Sequence, residues 1–189
     1  MRAKPVELLS LISLAGLLAL GALIYVVWPN PSTPLPDGHA KVIEVIDGDT
    51  IKVLINGTEE NIRFLGIDTP ETHHPTKPVE CYGQEASDRL SSLLPKGQTV
   101  RLERDLEARD HYNRILAYVY LPGDPDDVHL NLLMVAEGYA VTLPIDPNRA
   151  YRSELAAAEQ SAKAQNLGLW GFCDGPGVAL NPLTSWRQP

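Results

Sequence analysis

The chain has 189 residues, 44% of them hydrophobic and 21% charged, with a net charge of −8. That balance suits one globular domain with an appendage. It argues against a protein whose main task is coating nucleic acid, because phosphate affinity comes from cationic charge, but it leaves room for an enzyme with a small local cationic site.

The appendage comes first. From Leu8 to Trp28 no residue is charged, a run close to the ~20 residues that span a bilayer. Arg2 and Lys4 precede it, so the positive-inside bias puts the N-terminus in the cytoplasm and the rest outside. A cleaved signal peptide is the competing reading, through the small-x-small site Ala19-Leu20-Gly21, although the run exceeds the usual ~7–15-residue apolar core of such peptides. On either reading the domain is exported. Residues 1–28 are therefore expected to be a membrane anchor or signal peptide. Residues 29–38, PNPSTPLPDG, read as a proline-rich linker stiffened toward polyproline II. Residues 39–175 are expected to form the domain and 176–189 a C-terminal tail. Arg2, Lys4, Glu7 and Asp37 cancel within 1–38, so the domain itself keeps the acidic balance.

Within the domain, KVIEVI and TIKVLI alternate around Asp47-Gly48, a strong hairpin dipeptide. NIRFLGI reads as a third strand, with Ile62 and Phe64 on one side and Arg63 and Leu65 on the other. Between Val79 and Leu94, apolar positions recur at helical spacing, and Pro95 and Gly97 stop the helix. QTVRLERD and RILAYVYL read as two more strands joined by the charged loop LEARDHYN. LNLLMVAEGYA is a short helix closed by Gly138. A last helix is expected from about Tyr151 to Asn166. Five strands with a helix between the third and fourth is the order of an α+β OB-fold, a five-stranded Greek-key barrel with about three helices, here preceded by one N-terminal transmembrane helix. The two cysteines, Cys81 and Cys173, lie in the exported part, where a pair is expected to be bridged.

Five side chains are the candidates for chemistry. Asp47 and Asp49 flank a turn glycine, and Asp47 reads as a turn residue. Asp49 opens a strand where threonine or valine would pack better, so it needs another reason. Asp68-Thr69-Pro70-Glu71 reads either as an acidic turn or as half of a site. In a barrel the start of the second strand and the end of the third can be adjacent. Asp49 and Asp68 would then be two hard oxygen ligands for Ca²⁺ or Mg²⁺, with a backbone carbonyl and waters completing the shell. Arg63 and Arg114 at strand positions are either solvated and paired or suited to a phosphate that gains charge in the transition state. Glu71 beside the metal would orient or deprotonate a water.

VIDGDTIKV, IRFLGIDTPETHHP, VECYGQEAS, RDHYNRILAYVY and NLGLW, in this order over about Lys41–Trp170, resemble the successive motifs of the staphylococcal nuclease family. The resemblance implies an OB-fold endonuclease that uses Ca²⁺ to hydrolyse phosphodiesters of DNA or RNA and leaves 3′-phosphates. It implies Ca²⁺ ligation by the Asp49 and Asp68 side chains and the Thr69 carbonyl. Arg63 and Arg114 would clamp the phosphate and Glu71 would act on the attacking water. Lys77, His111 and Tyr112 match positions near the bound nucleotide, and Asp110 a position in the loop beside the site. Asn113 departs from the family's usual glycine, although asparagine tolerates a left-handed backbone. In VTLPIDPN, Pro144 and Asp146 stand approximately where the best-known member has two nucleotide-lining tyrosines. The reading is thus a Ca²⁺-dependent nuclease held at the membrane with its catalytic domain outside the cytoplasm, with nucleic acid as substrate and no protein partner expected. A non-catalytic OB-fold module that binds nucleic acid or an envelope component is the alternative, and it leaves Asp49, Arg63, Asp68, Glu71 and Arg114 unexplained.

Overall fold

A computed structural model describes residues 38–72, 78–123, 125–173 and 175–180, all within the second of the two units into which the chain divides, 35–189. The expected anchor and all of the linker but Gly38 lie outside the described residues. Among those described, no helix is long and apolar enough to cross a membrane.

Strands β1 (His39–Asp47), β2 (Thr50–Ile55) and β3 (Thr58–Phe64) form an antiparallel meander. β4 (Ile67–Asp68) follows, then α1 (Gly83–Leu93), β5 (Thr99–Glu103) and β6 (Ile115–Leu121). β5 pairs antiparallel with both β1 and β6, and β6 pairs parallel with β3 at Ile62↔Ile115 and Phe64↔Ala117. That last pairing closes the ring β1-β2-β3-β6-β5, the five-stranded barrel of an OB-fold. β7 (Val128–His129), α2 (Leu130–Ala136), β8 (Val141–Thr142), α3 (Arg152–Ala164) and the short α4 (Leu169–Phe172) complete the chain. β7 extends the sheet beside β6, and β8 pairs with β4 as Ile67↔Thr142 and Asp68↔Val141.

Strand alternation decides which side chains fill the barrel. Ile51, Val53, Ile62, Phe64, Val100, Ile115, Ala117 and Val119 point inward and are buried together. Leu65, Leu116 and Tyr118 lie on the outer face, yet are buried in a second cluster with Tyr120 under Tyr151 and Ile145. Arg63, between Ile62 and Phe64, therefore emerges on the outer side. Asn131 of α2 ties these layers together: its Oδ1 accepts the Val119 N–H at 2.8 Å and its Nδ2 donates to Leu65 O at 2.9 Å.

The helix expected from Val79 begins only at Gly83. Tyr82 has a left-handed backbone (φ 71°), and Val79–Cys81 pair with the C-terminal segment, Glu80 opposite Ala179. Long-range pairing overrides the local periodicity here. Cys81 and Cys173 form the expected disulfide, with Cα atoms 6.1 Å apart across 92 positions of sequence. A loop of about that length is worth up to about 4–5 kcal/mol in the chain-entropy model.

Candidate active site

The Asp47-Gly48 turn brings Asp49 against the end of β3. Thr50 is opposite Arg63 in the β2–β3 register, and Phe64 N–H donates to Asp49 O at 2.9 Å. Gly48 is required for this approach, because a Cβ there would meet the Thr69 side chain at 2.9 Å and the Ala86 Cβ at 3.0 Å. The Asp49 carboxylate is buried. Its Oδ1 accepts the Thr50 hydroxyl at 2.9 Å, and its Oδ2 accepts the Thr69 backbone N–H at 3.1 Å. The Thr69 Oγ1 is buried with no hydrogen-bond partner among the described residues.

Arg63 organises the centre. Its Nη1 meets Asp49 Oδ2 at 2.9 Å and donates to the Phe64 and Ile67 carbonyls at 3.1 and 2.9 Å. Its Nη2 donates to Asp68 Oδ1 at 2.7 Å. One buried guanidinium thus draws together carboxylates from the start of β2 and the end of β4. Two backbone carbonyls fix its plane, and among the described residues no acceptor stands at its Nε. Burial pushes the Asp68 carboxyl up to about 6; Arg63 opposes the rise, while Asp49, Glu80 and Glu71 add to it.

Glu71 is held through its backbone: its N–H donates to Glu80 Oε2 at 3.1 Å and its carbonyl accepts the Glu80 N–H at 2.9 Å. Asp47, expected only to turn the chain, does more. Its Oδ1 accepts both the Gly48 N–H at 2.8 Å and the Thr72 hydroxyl at 3.0 Å, tying the β1–β2 turn to the residue after Glu71. Burial raises the Asp47 carboxyl above its ordinary range, and nearby Asp49 and Glu71 push the same way.

Arg114 immediately precedes β6. It alternates onto the outer face with Leu116, the register partner of Arg63. Asp110 aims it: Oδ2 accepts Arg114 Nε at 2.7 Å, while Oδ1 accepts the backbone N–H groups of Tyr112 and Arg114 at 3.0 and 2.9 Å. Against burial, which raises it, these donors hold the Asp110 carboxyl below its ordinary range. Asn113 takes the left-handed conformation expected of it, φ 67°. Arg109 braces the loop with a bidentate pair to Glu60, 2.9 and 2.8 Å, and a bond to Asn113 O. His111 and Tyr112 sit at the loop tip with their rings 3.8 Å apart. Tyr112 is 71% exposed, with the Arg114 guanidinium 5.4 Å from its ring. Lys77 lies outside the described residues.

Asp49, Arg63, Asp68 and Thr69 thus meet directly, Glu71 adjoins them along the chain, and the β3–β6 register places Arg114 on the same outer face as Arg63. Sequence reasoning passed over Glu80, Arg109 and Asn131. Glu80 had one signal, a carboxylate beside a cysteine inside a matched motif; for the other two the pattern carried none. At the expected tyrosine positions, Pro144 lines a small hollow with Gly66 and Tyr118, and Asp146 pairs with Arg149 at 2.6 Å.

A family model described as staphylococcal nuclease homologue matches residues 61–171. The thermonuclease of Staphylococcus hyicus is 42% identical over 130 residues, which are 69% of this chain and 74% of that protein. Endonuclease YncB of Bacillus subtilis is 39% identical over 145 residues, 73% of this chain and 66% of that protein. The SPbeta prophage-derived endonuclease YokF of the same organism is 41% identical over 127 residues, 66% of this chain and 41% of its own length. Fold, site and kinship together define an enzyme, a phosphodiester-hydrolysing nuclease. The chain belongs to the staphylococcal nuclease family.

Proposed function

We propose that this nuclease hydrolyses phosphodiester bonds of DNA or RNA with Ca²⁺ as its cofactor, acts outside the cytoplasm and leaves 3′-phosphates. The observation that carries the reading is the single Arg63 guanidinium shared by Asp49 and Asp68: two hard anionic ligands converge on one cationic centre. Among the described residues no three His, Cys, Asp or Glu side chains form a cluster able to hold a metal by themselves. Two carboxylates completed by a backbone oxygen and waters suit the irregular shell of Ca²⁺ better than the strict octahedron of Mg²⁺. The Asp49 and Asp68 side chains and the Thr69 carbonyl would hold the ion. When bound, it supplies Lewis-acid polarisation of the scissile phosphate and a site for the attacking water.

The protein's own groups do the rest. Arg114, oriented by Asp110, offers its Nη atoms to phosphate oxygens that gain charge in the transition state, and Arg63 offers its Nε. Glu71 orients or deprotonates the water. Tyr112 supplies an exposed aromatic face for a base, His111 stands beside it at the loop tip, and by the family resemblance Lys77 and His111 match nucleotide-contacting positions. With Pro144 and Asp146 in place of a tyrosine pair, stacking worth about 1–3 kcal/mol per base is lost, so substrate binding is weak and base preference slight. Export is supported by the uncharged run Leu8–Trp28 after Arg2 and Lys4, which we read as an uncleaved anchor, and by the disulfide, a bond that persists in oxidising compartments.

The experiment is digestion of short labelled DNA and RNA strands by the purified protein. Chelator is expected to abolish cleavage, Ca²⁺ to restore it better than Mg²⁺, and Asp68→Asn to weaken the Ca²⁺ response. Full activity in chelator would refute the metal assignment. Protease added to intact cells tests the location: a protected domain would place it inside.

A further inference from the structure

The segment after α4 takes no part in the barrel, yet residues 175–180 lie against the candidate active site. Cys81 N–H donates to Val178 O at 2.8 Å and Leu180 N–H to Val79 O at 2.8 Å, with Glu80 opposite Ala179. The Cys81–Cys173 bond locks this short ladder at one end. Pro176 and Gly177 then wall a cavity of about 250 Å³ together with Asp68, Thr69, Pro70 and Glu80.

Glu80 is where the strap meets the chemistry. Its carboxylate accepts the Glu71 N–H and its own N–H donates to the Glu71 carbonyl, at 3.1 and 2.9 Å. The start of α1 presses on the same peptide. A Cβ at Gly83 would lie 2.9 Å from Pro70 O and 3.0 Å from Glu71 O, so the helix backbone leaves Glu71 little room to shift. The peptide that carries Glu71 is thereby held by one side chain and one backbone donor of Glu80. The residues on either side of Glu80 are held in turn by the strap, Val79 and Cys81 by one hydrogen bond each and Cys81 also by the disulfide.

We propose that Glu80 is a positioning residue for the hydrolysis, and that the C-terminal strap 175–180, tethered by the Cys81–Cys173 bond, keeps it in place. The inference rests on Glu71 acting on the attacking water, as proposed above. A group that must reach a water within hydrogen-bond distance is sensitive to its own backbone, since about 1 Å of misplacement costs up to about 100-fold in rate. The clamp needs an acceptor oxygen at position 80 and no negative charge. Glutamine preserves it and alanine removes it.

The test compares Glu80→Ala, Glu80→Gln and Glu71→Ala in the full-length protein, with kcat, KM and half-saturating Ca²⁺ measured on a short single strand. Glu80→Ala is expected to lower kcat between about tenfold and a hundredfold, with KM, the Ca²⁺ response and the melting temperature little moved. Glu80→Gln is expected to recover most of that loss. Reducing the disulfide, at a temperature where circular dichroism shows the barrel folded, should lower kcat in the parent and add little in Glu80→Ala. If Glu80→Ala cleaves at the parental rate while Glu71→Ala is inactive, the positioning role is wrong and the reading of Glu71 stands. If Glu71→Ala is also at the parental rate, that reading fails and takes the inference with it. A Glu80→Gln variant as poor as alanine, with a weakened Ca²⁺ response, would assign Glu80 a charge role and overturn the proposal.

Discussion

Asp110→Ala isolates how much of the phosphate clamp is aim and how much is charge. The substitution leaves Arg114 its charge but deletes the acceptor of Arg114 Nε at 2.7 Å and the acceptor of two loop N–H groups at 2.9 and 3.0 Å. A freed arginine regains side-chain entropy worth up to about 1.5–2 kcal/mol, which must be given up again on the phosphate. At about 1.4 kcal/mol per decade, kcat/KM is expected to fall about 10- to 30-fold. Arg114→Ala removes the donor itself and is expected to cost about 100- to 1,000-fold. Because Asp110 acts on catalysis through Arg114, the double variant should be no worse in kcat/KM than Arg114→Ala alone. The lost loop hydrogen bonds lower stability by about 1–3 kcal/mol in either background, which a denaturant titration separates from the kinetics. The assay is steady-state cleavage of a short fluorescent single strand at saturating Ca²⁺. Parental kinetics for Asp110→Ala, or losses that multiply in the double variant, would show that Arg114 is not aimed by Asp110.

Three further outcomes are expected. Gly48→Ala drives a Cβ to 2.9 Å from Thr69 and should destabilise by about 1–3 kcal/mol, while shifting the N–H that Asp49 accepts. Reduced activity alongside a lower denaturation midpoint checks it. Asn131→Leu strands the Val119 N–H and the Leu65 carbonyl and should cost about 2–5 kcal/mol, with kcat preserved in the folded fraction. His129 stacks on Tyr120 at 4.6 Å and leaves a buried Nε2 without a hydrogen-bond partner among the described residues. Burial lowers its pKa from 6.5 to about 4; Glu103 opposes this and Arg101 adds to it. The unfolded chain therefore binds the proton first, so this contribution to stability is complete above about pH 6.5 and is lost as pH falls toward 4. After discounting for the part of the ring that meets solvent, the loss is about 1–2 kcal/mol. Urea titrations at pH 7 and 4.5 should show it in the parent and not in His129→Phe.

Much of the barrel and part of the site are legible from local pattern. Asp47-Gly48 between alternating strands specifies the first hairpin. The alternation of Ile62, Arg63 and Phe64 specifies which of them leaves the barrel, because successive strand side chains point to opposite faces whatever the surroundings. Asn113, standing where the resembled family usually has glycine, is compatible with the left-handed turn it takes, because asparagine tolerates that backbone. The two cysteines, in a chain we propose to be exported, announce their bond by number and compartment.

Other features belong to the tertiary structure. Helical periodicity from Val79 gave way because Val79–Cys81 found a strap about a hundred positions later, and long-range hydrogen bonds outweigh a weak local preference. Arg63 reads from sequence as a phosphate ligand, but only the closed barrel shows it gathering Asp49, Asp68 and two carbonyls around one buried guanidinium. That arrangement depends on the β2–β3 register and on Gly48 admitting Thr69. Asp47 on Thr72, Glu80 on Glu71 and Asn131 on Leu65 and Val119 are pairings between separate elements or loops, from nine to 66 positions apart, and no periodicity encodes them. Backbone geometry repeats every few residues and so can be read locally. A polar side chain's partner is selected by which unsatisfied groups folding leaves beside it, and that is decided only when the barrel closes.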